Sequence, residues 1–205
     1  EVLALAPAAY EAAGVSPGML TAEQEKALRD AAAHPARGSL VSVLRTVAMN
    51  GQRVHAADLR LQSYIQDYDV EIAQEAAIAD PVTGTSKTGA VLDVRPLLSP
   101  DASSVLLEVR FTLARPGPMR SFDPGAAPLG TIQLPVRELL RSKSTVACPV
   151  GRTALLCSGN GGATDKGWVF AVLLRPTLAG DGGGDATEST EKRQMRMFDV
   201  SLLCA

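Results

Sequence analysis

Apolar and polar residues alternate with a period of two along much of the chain, most clearly in GAVLDVRPLLSPDASSVLLEVRF, Gly89 to Phe111. Two runs of alternating residues flank Ser99-Pro100-Asp101 in this segment. Apolar side chains share one face of each run: Ala90, Leu92 and Val94 in the first, and Val105, Leu107, Val109, Phe111 and Leu113 in the second. The pattern predicts two half-buried strands joined by a turn.

The first 36 residues have a helical pattern instead. After a short strand Val2 to Leu5, Pro7 is expected to start a helical turn. Thr21 and Gln24 fit a capping box, which predicts a second helix that ends near His34. From Leu40 onward the period of two returns, so strands are expected for most of the remaining chain.

Two short turn motifs predict hairpins. Asn50-Gly51 indicates a type I′ turn that places Val47 opposite Val54, because both residues tolerate a positive φ. A similar hairpin is predicted about Val150-Gly151. Additional strands are expected in YDVEIAQ, TIQLPVREL, KSTVACPVG, TALLCSG and GWVFAVLLRPTL.

Segments rich in Gly, Pro and polar residues are interpreted as connections. ADPVTGTSKTG, residues 79–89, is expected to be a polar connection, and Arg115 to Gly130 a long loop. Residues 181–192 have the composition of a flexible linker. The predicted organisation is a helical lead-in segment, 1–38, an antiparallel β domain, 39–180, the linker, and a terminal strand or further element, 193–205. The fold class is α+β or mainly β.

Composition excludes several classes of protein. The formal net charge is −2 and the pI about 5.7, so the chain lacks the basic character of a nucleic-acid-binding protein. It contains no run of about 18 uncharged apolar residues, which a transmembrane helix needs; a barrel strand gives a weaker signal. The opening residues EVLALAP, without Met, suggest an excised or mature segment.

Motifs with catalytic or ligand-binding chemistry are weak. GTSKTG, Gly84 to Gly89, lacks the Gly before Lys87 and the following helix of a phosphate loop, so a plain turn is favoured. GNGG, 159–162, is interpreted as a hairpin loop and DGGGD, 181–185, as linker rather than a calcium loop. We therefore expect no cofactor and no metal site.

Acid–base and nucleophilic groups are equally sparse. His34 lies before a proline at a helix end, and His55 is interpreted as a surface or layer-filling residue. Asp67 and Asp69 are expected on a solvated strand face. The three cysteines, Cys148, Cys157 and Cys204, fit no metal motif and are interpreted as small buried hydrophobes. The chain is not expected to be an enzyme.

The order of the motifs resembles the core domain of the bacterial secretin family, the ring-forming outer-membrane channels of type II and type III secretion and type IV pilus systems. That family has an NGQ turn, a central G..L.V.P.IS.DG.V.L.V hairpin, a T.V.V..G.T..LGG hairpin and a TP.I strand. The matching residues, within Leu44 to Leu178, are Asn50, Gly51 and Gln52; Gly89, Leu92, Val94, Pro96, Ser99, Pro100 and Asp101; Thr145, Val146, Gly151 and Thr153; and Pro176 and Thr177.

The resemblance implies a subunit that pairs its strands with those of other copies in an oligomeric β-barrel wall. It also implies a gate-forming hairpin within residues 70–94 and a second gate element in Arg115 to Gly130. The candidate gate or assembly residues are Pro81, Gly84, Lys87, Gly89, Pro116, Gly117, Phe122 and Pro124. The implied partners are further copies of the chain and envelope secretion or pilus components. The implied location is the outer membrane or periplasm of a bacterium.

The chain departs from the family at one place. SGNGGATDK, Ser158 to Lys166, stands where secretins carry a VPLLGDIPLLGxLF segment associated with the membrane-facing lip. Two functions therefore remain open: a secretin-like pore subunit, and a structural protein that assembles into a ring, tube or extracellular filament without conducting. A ligand-binding β domain is a third, weaker alternative because no convergent polar pocket can be nominated.

Overall fold

The computed structural model describes residues 1–73, 76–125, 129–160, 167–178 and 197–201. Over these residues the protein is mainly β, with 67% in strands, two helices and antiparallel sheets. The chain forms two compact units. Unit 1 comprises Glu1–Asp58, Ala90–Thr112 and Leu140–Ala205, and unit 2 comprises Leu59–Gly89 and Leu113–Leu139.

The elements follow in this order: β1 Val2–Leu5, α1 Pro7–Ala12, β2 Gly18–Met19, α2 Ala22–Ala32, β3 Gly38–Ser42, β4 Arg45–Met49, β5 Val54–Ala73, β6 Ala76–Leu98, β7 Ser104–Phe122, β8 Ile132–Pro149, β9 Ala154–Asn160, β10 Val169–Leu178 and β11 Met197–Ser201. The predicted opening strand and both predicted helices are confirmed.

Helix α2 begins as its sequence predicts. The Thr21 side chain accepts a hydrogen bond from the Gln24 backbone N–H at 3.2 Å, and the Gln24 side chain accepts one from the Thr21 N–H at 3.0 Å. These two bonds satisfy backbone donors that the first helical turn leaves unpaired. Leu28 and Ala31 of α2 are buried against β1, β9 and β10, so this helix covers one face of a sheet.

That sheet has seven strands, in the order β2-β9-β10-β1-β3, with β11 pairing both β10 and β4. The strands β1 and β10 are antiparallel and central, with Val2 opposite Val172 and Leu5 opposite Val169. Their side chains are buried on both faces: all four residues of β1 and the first six of β10 are buried. Continuous burial explains why these strands read as apolar runs rather than as alternating ones.

The second sheet has four strands in the order β5-β6-β7-β8. In unit 1 one face of β6 and β7 is buried, as the alternation predicts; Ala90, Leu92, Val94, Val105, Leu107, Val109 and Phe111 have exposed fractions of at most 1%. The opposite face of this region is charged. The core of unit 1 therefore uses the apolar residues of the segment Gly89 to Phe111.

Two predicted connections are wrong. Residues 79–89 belong to β6, so GTSKTG is strand rather than a turn. Arg115 to Phe122 belong to β7, so this part of the predicted long loop is strand. Pairing on both sides in the sheet holds these Gly- and Pro-containing segments extended, against their local preference.

Both predicted two-residue hairpins are also wrong, although the turns exist. Gly51 has φ +78°, but Asn50 does not have the positive φ that a type I′ turn requires. Val47 of β4 is opposite Asp199 of β11 rather than Val54, and β5 belongs to the other sheet. Likewise β8 and β9, on either side of Gly151, lie in different sheets. Each turn is a corner between sheets.

Parts of the predicted C-terminal organisation lie outside the described residues: the linker 181–192, the ends of the segment 193–205, and Cys204. Within 193–205 the predicted strand is present as Met197–Ser201. The proposed division at residues 38, 180 and 192 stays a prediction.

Candidate functional site

The eight candidate gate or assembly residues lie in the β5–β6 and β7–β8 hairpins of the four-stranded sheet. Pro81, Gly84, Lys87 and Gly89 lie in β6; Pro116, Gly117 and Phe122 lie in β7; Pro124 follows it. Most are half or fully exposed. They do not converge on one pocket, because Gly84 lies against β5 and Gly117 against β8. The structure places these residues in strands and at a strand end, and their role as gate or assembly elements stays a prediction.

Glycines of unit 2 allow close approach between strands. A Cβ at Gly84 would lie 2.7 Å from the Tyr64 ring and 2.6 Å from Gln66 Oε1, and a Cβ at Gly117 would lie 3.1 Å from Val136. The aromatic ring thus packs over backbone where any larger residue would displace it.

The outer strands β5 and β8 also meet within unit 2. The Ile65 N–H donates to Gln133 Oε1 at 2.8 Å, and the Tyr68 hydroxyl lies against Gly130. A side-chain amide that caps an edge N–H replaces the hydrogen bond that a neighbouring strand would make. The sheet of unit 2 therefore curls until its two edges approach each other.

A half-buried ion pair joins β7 to β8 in the same unit. Arg115 and Glu138 are 3.6 Å apart, with both side chains 19% exposed. Burial lowers the pKa of Arg115, while the negative charge of Glu138 opposes that change. The guanidinium stays charged at any physiological pH, so the pair fixes the two strands side by side.

The two outer strands carry opposite charge. The strand β5 contains four carboxylates and one arginine, a formal charge of −3 with His55 neutral: Asp58, Arg60, Asp67, Asp69 and Glu71. The strand β8 contains three cations and one carboxylate, a formal charge of +2: Arg137, Glu138, Arg141 and Lys143. Asp67 and Asp69 are exposed, as predicted. Sequence reasoning missed this difference because it depends on which strands are outermost.

The turn-signature residues form two equivalent corners. The Gly51 N–H donates to the Pro96 carbonyl and the Gly151 N–H donates to the Pro176 carbonyl, both at 2.7 Å. Gly51 has φ +78° and Gly151 φ +79°. Each acceptor lies in an Arg-Pro-x-Leu motif, at 95–98 and 175–178. The repeated motif is visible in the sequence, but only the structure shows that its proline carbonyl accepts the hydrogen bond from the glycine at the corner.

The third signature turn, between β6 and β7, is held by side-chain hydrogen bonds. Asp101 accepts from the Ser103 hydroxyl at 2.6 Å and the Ser99 hydroxyl at 2.5 Å. These bonds to the Ser103 and Ser99 side chains lower the pKa of Asp101 to about 2. The carboxylate is therefore a structural acceptor.

Oppositely charged side chains contact each other on the outward face of the four-stranded sheet in unit 1. Arg53 contacts Glu108 at 2.8 Å, Arg95 contacts the same carboxylate at 3.6 Å, and His55 Nδ1 lies 2.7 Å from Asp93. His55 is 60% exposed, which confirms a surface position. Polar and charged side chains line a cleft of 360 Å³ on this surface: Arg53, Glu108, Arg110, Lys143, Ser144 and Thr145. Exposed ion pairs of this kind contribute little to stability.

A second cleft, of 780 Å³, was not predicted. Tyr10, Glu11, Ser158, Asn160 and Trp168 line it, and the Tyr10 hydroxyl donates to Ser158 Oγ at 2.9 Å. The cleft joins helix α1 to the facing ends of β9 and β10. It brings together residues that are more than 140 positions apart, so no local motif could indicate it.

The two cysteines within the described residues, Cys148 and Cys157, are removed from solvent to different degrees. Cys148 is fully buried, and burial raises the pKa of its thiol to about 11, although Arg152 acts in the opposite direction. Cys157 is half-buried, and burial raises its pKa as well. Both side chains are thus protonated at neutral pH and weak nucleophiles.

Within the part of the chain that the structure describes, neither helix is long and apolar enough to cross a membrane, and no group of three or more His, Cys, Asp or Glu side chains could hold a metal ion. Comparison with known proteins found no matching family model, no matching curated protein and no matching solved structure.

Proposed function

We propose that this chain is a ring-forming, secretin-like wall subunit of a bacterial envelope pore or of a secretion or pilus assembly. Copies associate by pairing the outer strand β5 of one chain with β8 of the next. The observation that carries the proposal is a four-stranded sheet whose long outer strands have opposite charge. No step of this function requires catalysis.

Strand length supports assembly. The strands β5 to β8 have 20, 23, 19 and 18 residues. Strands of globular proteins are usually about 5–6 residues long. A long outer strand presents a row of unpaired backbone groups, which proteins cover, blunt or pair with another chain. Pairing between copies satisfies these groups along the whole length.

The opposite charges of β5 and β8 support a head-to-tail arrangement of neighbouring copies. In a sheet of four antiparallel strands, β5 and β8 run in opposite directions, so β8 of one copy and β5 of the next can form an antiparallel ladder. A β5–β5 contact would bring acidic strands together, and a β8–β8 contact would bring basic ones together. Opposite charge favours the β5–β8 contact. A head-to-tail contact of this kind closes into a ring or continues as a filament.

In a single copy, the contacts between β5 and β8 inside unit 2 occupy part of the strand edges that a neighbouring copy would pair with. Gln133 satisfies only the Ile65 N–H of β5, whereas a neighbouring strand would satisfy every second residue. Assembly therefore exchanges a few side-chain contacts for a continuous ladder. The two hairpins that contain Pro81, Gly84, Lys87 and Gly89, and Pro116, Gly117, Phe122 and Pro124, are the proposed gate elements.

A second candidate, a non-conducting ring, tube or extracellular filament, is favoured by the exposed face of β8. Arg137, Leu139, Arg141 and Lys143 occupy alternate exposed positions there. A lipid-facing strand carries an apolar band about 25 Å tall, in which each cation costs roughly 2–4 kcal/mol at the midplane. Such a face suits water or a second protein layer better than lipid.

Electron microscopy of the purified chain tests the assembly. Closed rings with a constant number of subunits would support the pore, and open helical filaments would support the second candidate. Monomers at high concentration would contradict both. Ile65→Pro is the test variant: it removes one backbone donor of β5 and should shift the population towards monomers.

Planar-bilayer recording then separates a pore from a closed assembly. The pore predicts discrete conductance steps from rings, and Phe122→Ser should raise the open fraction if that side chain belongs to a gate. Met119→Ser, also an exposed site on β7, is the matched control. Rings that insert into lipid and never conduct would favour the non-conducting assembly.

A further inference from the structure

The C-terminal strand β11 occupies a slot between two other strands. It is antiparallel to β10, with Leu178 opposite Phe198 and Arg175 opposite Ser201. On its other side it is antiparallel to β4, with Met49 opposite Met197 and Arg45 opposite Ser201. In the described part of the chain, β4 joins the seven-stranded sheet through β11 alone. Removing β11 would expose one edge of each neighbour.

The connection into this strand is much longer than the geometry needs. Leu178 ends β10 and Met197 begins β11, so 18 residues lie between two neighbouring antiparallel strands. Two to five residues are enough for such a connection. Eighteen residues can span roughly 60 Å when extended, far more than the ~5 Å between paired strands. The chain can therefore place β11 in its own slot or in that of a nearby copy.

We propose that the slot between β4 and β10 accepts β11 from a second copy of this chain when copies assemble, so that neighbouring subunits are linked by an exchanged strand. The backbone ladder is the same in both arrangements, because an identical strand enters an identical slot. This link is independent of the β5–β8 contact and uses different strands.

Cysteine cross-linking in the full chain tests the exchange. Val47 and Asp199 are register partners, and Val47 is half-exposed. In a Cys204→Ser background, chains with Val47→Cys are unfolded and refolded together with chains carrying Asp199→Cys, then oxidised. Exchange predicts a disulfide-linked dimer on a non-reducing gel, about tenfold or more above a control mixture, because strand insertion holds the two thiols together.

The control mixture replaces Val47→Cys with Val41→Cys, an exposed site on β3 that does not pair with β11. The double variant in a single chain shows whether β11 fills the slot at all. Internal cross-links in the double variant with no dimer above the control would overturn the exchange, as would a double variant without any cross-link. Microscopy of the same samples separates the proposals, because rings without cross-linked dimers would retain β5–β8 assembly and reject strand exchange.

Discussion

At the scale of single residues, the turn between β6 and β7 combines a cluster of short hydrogen bonds with one residue in a disfavoured backbone conformation. Ser99, Asp101 and Ser103 form a hydrogen-bonded cluster, and Ala102 has φ +58°. Left-handed backbone is disfavoured for a residue with a Cβ. The hydrogen bonds of the cluster hold Ala102 in this conformation.

Ala102→Gly should therefore stabilise unit 1 by about 0.5–1 kcal/mol, because glycine adopts this φ without steric cost. Ala102→Val is the opposed control and should destabilise, since a β-branched residue tolerates a positive φ least. Urea denaturation followed by circular dichroism measures both. A less stable Ala102→Gly chain would show that the turn geometry does not limit stability.

The Asp101 carboxylate should make the free energy of unfolding depend on pH in the acid range. Its pKa is lowered to about 2 by the Ser103 and Ser99 side chains, whereas an unfolded aspartate titrates near pH 3.9. A lowered folded pKa stabilises the fold above the unfolded value, and this contribution is lost as the pH falls from about 4 to about 2. The carboxyl ¹³C shift of Asp101 should titrate near pH 2, and Asp101→Asn should remove that part of the acid dependence. A midpoint near pH 4 would contradict the cluster.

At the scale of elements, β3 depends on one glycine where it starts beside α2 and β1. A Cβ at Gly38 would lie 2.9 Å from the Ala32 Cα and 2.9 Å from the Ala4 carbonyl oxygen. Both are backbone atoms, which a side-chain rotation cannot move away. The contact explains why the first residue of β3 is a glycine.

Gly38→Ala should thus destabilise unit 1 by roughly 1–3 kcal/mol through overpacking. Gly14→Ala is the control, because it should destabilise the protein for a different reason. Gly14 has φ +57° and open space around its Cα. The substitution should therefore lower the free energy of unfolding by about 1 kcal/mol through backbone strain alone. Thermal unfolding of both variants distinguishes the two mechanisms. Equal losses would mean that β3 shifts to admit the methyl group.

At the scale of the whole molecule, the proposed assembly depends on charge between copies. The carboxylates of β5 and the cations of β8 lie largely at the surface, so their attraction is screened by salt. Long outer strands provide backbone pairing, and their charges decide which edges meet.

The triple variant Arg137→Glu, Arg141→Glu and Lys143→Glu should prevent self-assembly, because β8 would then repel β5. Mixing it with chains in which Asp67, Asp69 and Glu71 are replaced by lysine should restore hetero-assembly. Analytical ultracentrifugation at low and high salt measures both, and wild-type assembly should weaken as salt rises. Assembly of the triple variant alone, at wild-type strength, would exclude the β5–β8 contact.

Local physics made much of the secondary structure predictable. The capping box at Thr21, the apolar alternation from Ala90 to Leu113 and the turn at Asp101 each depend on residues within a few positions of one another. The candidate assembly strands were predictable only in part, because Pro81, Pro116 and Gly117 locally favour loops. Their extended conformation follows from pairing with strands on both sides.

The amino-acid sequence by itself therefore determined which residues are buried in the central hairpin, where α2 begins, and that the protein is mainly β. Only the tertiary structure decided that Asn50-Gly51 and Val150-Gly151 are corners between sheets, that β5 and β8 are outermost, and that β11 lies between β4 and β10. Side-chain alternation and capping are local, whereas the choice of a strand's partner depends on backbone hydrogen bonds between residues far apart in the chain.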